Sequence, residues 1–341
     1  MIKNKAIQII GTQRSGSNLL RVMLNQIQEI DAPHPPHILQ RFYPLLSKYG
    51  DLNDELNFLR LIDDICKLIE SNPVPWEGLK LDSNSVKQQC KSNTLLEIFR
   101  VIYSLKATHS KASYWCCKSM SNINYVEQFE ASGIQPLYIH LYRDGRDVAL
   151  SFKKAIVGPK HIYHLANKWK AEQDLCLKLK RTIHSSRFFS ICYEDLIEHP
   201  EAVLNQLCLF LKIPFNNAML TYYNSDESKK TASSGKMWKN ISHPILKHNS
   251  NKFLNEMNAD DLLLFESISG STLTMLNYKL YANGIYKSIS KKDIETYHVE
   301  NELLKQQAVL NADKKDMSRK KVQLQLLKDI ANREIHQFAN V

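Results

Sequence analysis

Four short apolar runs set the plan of this chain: Lys5–Ile10, Tyr114–Lys118, Leu137–Tyr142 and Phe188–Tyr193. Each is the length of a strand, and a near-continuous apolar run of that length suits a strand covered on both faces. Between them the period changes to that of a helix. Leu20, Leu24 and Ile27 predict a helix from about Ser17 to Gln28. Val148 and Phe152 predict a second, opened by Asp144 or Gly145, and helices over Ile162–Arg181 and about Glu201–Lys212 follow. The last would bury Val203, Leu204, Leu207 and Phe210 or Leu211. Between the first helix and Lys118, Phe58, Ile62, Ile65 and Ile69 recur at helical spacing, as do Leu95, Phe99, Ile102 and Leu105 or Lys106. Strands alternating with helices predict an α/β fold with a central parallel β-sheet flanked by helices.

Beyond about Lys279 the character of the chain shifts to Lys, Glu, Gln and Asn. Gly284 and Ser288–Lys292 read as a linker. Leu327, Ile330, Ile335 and Phe338 predict one amphipathic helix, and Ile294, Leu303 and Leu304 part of another. We expect a main domain over 1–280, with a mostly helical insertion at 31–113, and a charged helical extension over 281–341. That extension has three candidate roles: packing on the body, joining copies into a homo-oligomer, or touching an anionic surface through Lys314-Lys315 and Arg319-Lys320-Lys321.

The chemistry concentrates where strands end. The first strand runs into Gly11-Thr12-Gln13-Arg14-Ser15-Gly16-Ser17-Asn18. A strand, a glycine-bearing turn and a helix start together aim backbone N–H groups and a positive helix end at an anion. The stretch has the two glycines of a nucleoside-triphosphate loop but Ser17-Asn18 where that motif needs Lys-[Ser/Thr]. Its cation comes earlier, at Arg14, which points to a different phosphorylated donor. The third apolar run enters Arg143-Asp144-Gly145-Arg146-Asp147, with Ser151 eight residues after Arg143. The fourth ends in Cys192-Tyr193-Glu194-Asp195-Leu196, followed by Pro200-Glu201-Ala202-Val203-Leu204.

Together and in this order, these segments resemble the donor-binding signatures of sulfotransferases that use 3′-phosphoadenosine 5′-phosphosulfate (PAPS). A looser match is Lys236–Asn240 with Pro244-Ile245, and the resemblance spans roughly residues 5–280. It implies a P-loop-like sulfotransferase fold and a donor site made of Gln13, Arg14, Ser15, Gly16, Ser17, Asn18, Arg143, Ser151, Tyr193 and Lys252. Arg14 and the N–H groups of Ser15 to Asn18 would hold the 5′-phosphosulfate. Arg143 and Ser151 would hold the 3′-phosphate, and Tyr193 would lie at the adenosine end. Lys252 comes from His248–Phe253, where the alignment is ambiguous by a residue or two. Trp115-Cys116-Cys117-Lys118-Ser119-Met120 resembles the strand whose closing Lys meets the transferred group, although the usual Pro two residues on is replaced by Met120.

Moving a sulfuryl group to a hydroxyl needs a base for the acceptor proton and positive charge on the leaving oxygens. Some relatives keep a Glu about twenty residues beyond the basic residue of the first loop. Here Asp31-Ala32-Pro33-His34-Pro35-Pro36-His37 places His34 twenty residues after Arg14 and His37 twenty-three after it. A neutral imidazole can accept a proton near pH 7. We therefore expect His34 as the base, ahead of His37, with Lys118 and Arg14 as stabilisers. No third ligand accompanies the histidines, and no metal is expected. PAPS would be co-substrate and adenosine 3′,5′-bisphosphate (PAP) product.

A formal net charge of +10 suits an anionic partner, and no nucleic-acid motif accompanies it. Seven cysteines without regular spacing argue against a disulfide framework. No apolar stretch reaches membrane-spanning length and no signal peptide precedes the first strand, so a cytoplasmic enzyme is expected. The acceptor group would be a hydroxyl or an amine, on an acceptor open among small molecules, carbohydrates, lipids and peptides. The competing readings are a nucleotide kinase of the same fold and a non-catalytic nucleotide- or polyanion-binding module.

Overall fold

In a computed structural model, which describes residues 4–282 and 284–334, five strands form one parallel sheet. They are β1 (Lys5–Ile10), β2 (Ile30–Asp31), β3 (Tyr114–Cys117), β4 (Leu137–Tyr142) and β5 (Phe188–Cys192), in the order β2-β3-β1-β4-β5. Ile7 pairs with Cys116 on one side and with Leu137 on the other. Four strands follow the apolar runs; β2, only two residues long, was not expected. It joins the edge by pairing Ile30 with Tyr114. Lys118 and Tyr193 lie one residue past their strands, on the loop and helix that leave them.

Side chains alternate across the sheet and divide the core. Ala6, Trp115 and Cys117 face one layer, with α2 (Glu55–Glu70) and α3 (Leu95–His109). Ile7, Ile9, Cys116, Ile139 and Leu141 face the other, with α1 (Ser17–Leu24) and α6 (Pro200–Leu211). A third cluster joins α4 (Gly145–Lys153), α5 (Ile162–Thr182) and α8 (Ala259–Met275), with α7 (Asp226–Ser233) preceding it in sequence. Asp144 caps α4 by accepting from the Arg146 N–H. α1 stops at Leu24, short of the expected Gln28.

The tail forms α9 (Lys291–Leu310) and α10 (Lys314–Ala331). Ile330 is fully buried in the α2–α3 layer, and Gln323 donates to the Leu68 carbonyl at 2.8 Å. In α9 the docked residues are Tyr297 and Asn301, not Leu303 and Leu304, which are exposed. Ile335 and Phe338 lie outside the described residues. Among the described residues no helix is long and apolar enough to cross a membrane.

Candidate active site

The segments leaving the carboxyl ends of β1, β3, β4 and β5 border one cavity of about 1330 Å³. Strand order reverses direction beside β1, and a crevice at such a point is where open α/β sheets bind ligands. The loop after β1 is pressed flat by two glycines. A Cβ on Gly11 (φ +131°) would lie 2.3 Å from the Leu141 carbonyl oxygen; one on Gly16 (φ +87°) would lie 2.4 Å from the Tyr193 ring. Between them Arg14 adopts φ 74°, a left-handed conformation costing a non-glycine residue about 1–3 kcal/mol. That strain is held by contacts from α4 and its entry. Arg14 Nε donates to Ser151 Oγ at 3.0 Å, and Arg143 Nη1 donates to the Arg14 carbonyl at 3.3 Å. A buried relay braces the loop from below: His140 meets Gln173 at 2.8 Å, and Gln173 donates to Thr12 Oγ1 at 3.1 Å.

Arg143 is buried and gripped from several sides. Its Nη2 donates to the Asn249 carbonyl at 2.6 Å and lies 3.5 Å from Asp147 Oδ2. Its guanidinium sits 4.5 Å from the Tyr193 ring centroid, a cation–π distance. The Tyr193 hydroxyl accepts from Asn249 Nδ2 at 2.7 Å. Arg143 Nε has no partner, an orphan donor beside the cavity. Burial and the neighbouring Arg143 charge lower the Arg14 pKa. Two guanidiniums and a hydroxyl thus share one corner, a disposition suited to phosphate oxygens.

Farther along the cavity stands Lys118, 8% exposed and with no hydrogen bond among the described residues. Burial, then the charges of Arg21 and Arg14, bring its pKa down to about 7. Gln8, buried in β1, fixes the segment by donating to the carbonyls of Cys117 and Ser119 at 3.0 and 3.3 Å. His34 is 4% exposed, and both its ring nitrogens are unpartnered. Its carbonyl accepts from Asn72 Nδ2 at 3.0 Å and Trp76 Nε1 at 2.8 Å, and its ring meets Trp238 edge-on at 4.7 Å. Burial and then Lys118 hold the imidazole pKa well below 6.5, so it is neutral. His37 is also held neutral, by burial and Lys118, but its Nδ1 is engaged with Ser119 Oγ at 3.1 Å.

Of the residues expected from sequence, Gln13, Arg14, Gly16, Ser17 and Asn18 line this cavity, together with His34, Lys118, Arg143, Ser151, Tyr193 and Lys252. Ser15 does not: it is fully buried, with an unpartnered hydroxyl. Lys252 is exposed, at the rim. Arg14 was expected at the 5′-phosphosulfate and as a stabiliser of the transfer; its side chain bonds to Ser151, next to the Arg143 corner. Sequence reasoning missed Asn249, which ties Arg143 to Tyr193, and Arg21. The fully buried Arg21 donates to the Ala32 carbonyl at 2.9 Å and to Thr231 at 2.8 Å, fixing the approach to His34. Arg21 follows the first loop on a helix face that reads as apolar, a signal that was available. Asn249 gives none. Among the described residues no three His, Cys, Asp or Glu side chains are grouped to hold a metal.

Two solved structures share this architecture. The sulfotransferase domain of the curacin biosynthetic pathway matches with a TM-score of 0.58 at 21% identity, covering 82% of this chain and 99% of that one. The sulfotransferase domain of the Synechococcus PCC 7002 olefin synthase matches with a TM-score of 0.54 at 22% identity, covering 82% and 97%. Among curated proteins, an uncharacterized protein of Aquifex aeolicus is 24% identical over 248 residues, 70% of this chain and 29% of its own length. Protein-tyrosine sulfotransferase A of Caenorhabditis elegans is 23% identical over 222 residues, 63% of this chain and 51% of its own length. The chain thus spans about half or less of the curated relatives it matches. The model of the sulfotransferase family matches residues 6–217, from β1 to beyond α6 and so across every strand that borders the cavity, and the chain belongs to that family.

Proposed function

We propose that this protein transfers the sulfuryl group of PAPS directly to an acceptor hydroxyl, with His34 as general base. The observation that carries the proposal is a neutral, unpartnered imidazole facing the same cavity as a row of cations, Lys118, Arg14 and Arg143. Arg14, Arg143 and Ser151 would hold the 3′-phosphate, and the N–H groups of Ser15 to Asn18 the 5′-phosphosulfate. Tyr193, already braced by Arg143 and Asn249, would border the adenosine. In the reaction the acceptor O–H bond breaks and its proton passes to His34. A bond forms from that oxygen to sulfur as the sulfur–oxygen bond to the donor breaks, leaving PAP. Lys118 offsets the charge that grows on the departing oxygen. His37 is the weaker candidate base because Ser119 occupies its Nδ1.

The negative charge of the donor would also raise the pKa of His34, since the lowering is partly due to Lys118, Arg21 and Arg41. The base would thus gain strength when the donor is in place. All seven cysteines are free, which fits a reducing, cytoplasmic setting. The test is isothermal titration with PAP beside ATP, followed by assays of His34→Gln with PAPS and an acceptor panel. PAP affinity should stay within about twofold of wild type while transfer falls about 10²–10⁴-fold. ATP binding as well as PAP, or a fully active His34→Gln protein, would refute the donor or the base respectively.

A further inference from the structure

We infer that the acceptor carries an oxyanion, a carboxylate, phosphate or sulfate, and that Arg41 receives it, steadied by Gln323 from the C-terminal helix. The inference rests on the sulfotransferase reading of the cavity and names the acceptor class that reading leaves open.

Arg41 lies on the short helix Ile38–Phe42, directly after the His34–His37 segment, and lines the cavity. Its Nη1 donates to Gln323 Oε1 at 2.7 Å. Gln323, 1% exposed on α10, is itself oriented by the bond from its Nε2 to the Leu68 carbonyl. Its oxygen is therefore committed to Arg41. That bond accounts for one N–H of five; the others have no protein acceptor among the described residues, and no carboxylate pairs with the guanidinium. Burial alone brings its pKa down to about 10. A half-buried cation that lines a cavity and has only a neutral amide as bonded partner is open to a ligand of opposite charge.

Its place in the cavity separates it from the donor corner. Arg41 follows the His34–His37 segment and bonds to Gln323 of α10, whereas Arg143 bonds to the carbonyls of Arg14 and Asn249, so the two arginines stand on different walls of the cavity. An acceptor anchored there by a planar, bidentate oxyanion would present its hydroxyl back toward His34. The wall behind Arg41 is α10, so the C-terminal extension becomes part of the acceptor site. Asp313, the acidic residue of that wall, is exposed at the rim.

The test uses the full chain saturated with PAP, titrated with phenyl phosphate, benzoate and neutral benzamide at constant ionic strength. One anion should bind per chain at least tenfold tighter than benzamide, with phenyl phosphate and benzoate distinguishing phosphate from carboxylate. Arg41→Gln should erase that preference while PAP affinity stays within twofold, and Arg41→Lys should keep part of it. Equal binding of benzamide, no anion binding, or an anion preference indifferent to Arg41→Gln would overturn the inference. So would a matching loss of PAP affinity, which would assign Arg41 to the donor. If PAP fails to bind at all, the donor reading falls. The same titrations on unloaded wild type, Arg41→Gln and Arg14→Gln then still decide Arg41, since only an anion lost with Arg41 and kept with Arg14→Gln supports it.

Discussion

Replacing Lys118 with methionine should stabilise the empty protein while abolishing transfer. The ammonium is buried beside Arg21 and Arg14 with no hydrogen bond among the described residues, and its pKa falls from 10.5 to about 7. At ~1.36 kcal/mol per pKa unit, that fall of about 3.5 sets a ceiling of about 5 kcal/mol of strain in the charged folded state. Methionine keeps most of the stem packing at a cost below about 1.5 kcal/mol, so the variant should gain about 3 kcal/mol at pH 6. The sign follows from linkage. Between pH 7 and 10.5 the unfolded chain holds a proton on Lys118 that the folded chain has released, so wild-type stability rises with pH across that window. The penalty is complete below about pH 7 and falls by ~1.4 kcal/mol per pH unit above it. The advantage of Lys118→Met should therefore shrink to near zero by about pH 9. Urea unfolding of both proteins at pH 6 and pH 9 reads this directly, because other titrating groups largely cancel between them. A variant less stable than wild type at pH 6, or a stability difference equal at the two pH values, would refute the account of Lys118 as an uncompensated cation.

Two further outcomes follow from the same geometry. Gly16→Ala puts a methyl group into the Tyr193 ring at a φ of +87°; it should cost about 2–4 kcal/mol in urea unfolding and weaken PAP binding at least tenfold. The pH profile of kcat/KM, which reports the free enzyme, should show no loss between pH 8 and pH 6.5, since His34 stays neutral there, and should decline above about pH 7–8 as Lys118 loses its proton. A profile that falls toward pH 6.5 instead would return an ordinary histidine to the role of base.

Much of the fold was legible because its signals are local. An apolar run of strand length ending in a glycine-bearing turn identifies β1 and its loop, and the bounds of β4 and β5 and the start of α4 were read to within a residue. β2 was missed because two residues carry no period, and its existence depends on Tyr114 to pair with. α1 ended early where the chain had to turn back into that edge strand. In α9 Leu303 and Leu304, marked by spacing, are exposed and Ile294 is half-buried, whereas Tyr297 docks by stacking on His161 at 4.5 Å. Helical period alone could not choose, because apolar residues are spread around α9, several of them exposed, and do not form one stripe.

The candidate site divides along the same line. Arg14, Lys118, Arg143 and Tyr193 each follow a strand, so a parallel sheet brings them together whatever the rest of the chain does. The acceptor wall has no such rule. Arg41 and Gln323 meet across 282 positions of sequence, and nothing near either residue announces the other. An arginine after a proline-rich loop reads as surface charge, and a glutamine in a polar helix reads as a solvated face. Their contact at the cavity wall, without a carboxylate, is what supports reading the pair as a receptor for an anion. On the proposed reading, donor recognition rests on strand-end motifs within the matched residues 6–217, whereas acceptor choice rests on tertiary contacts made by a tail beyond them. Under that reading, change in the tail would alter what is sulfated without touching the strand-end residues.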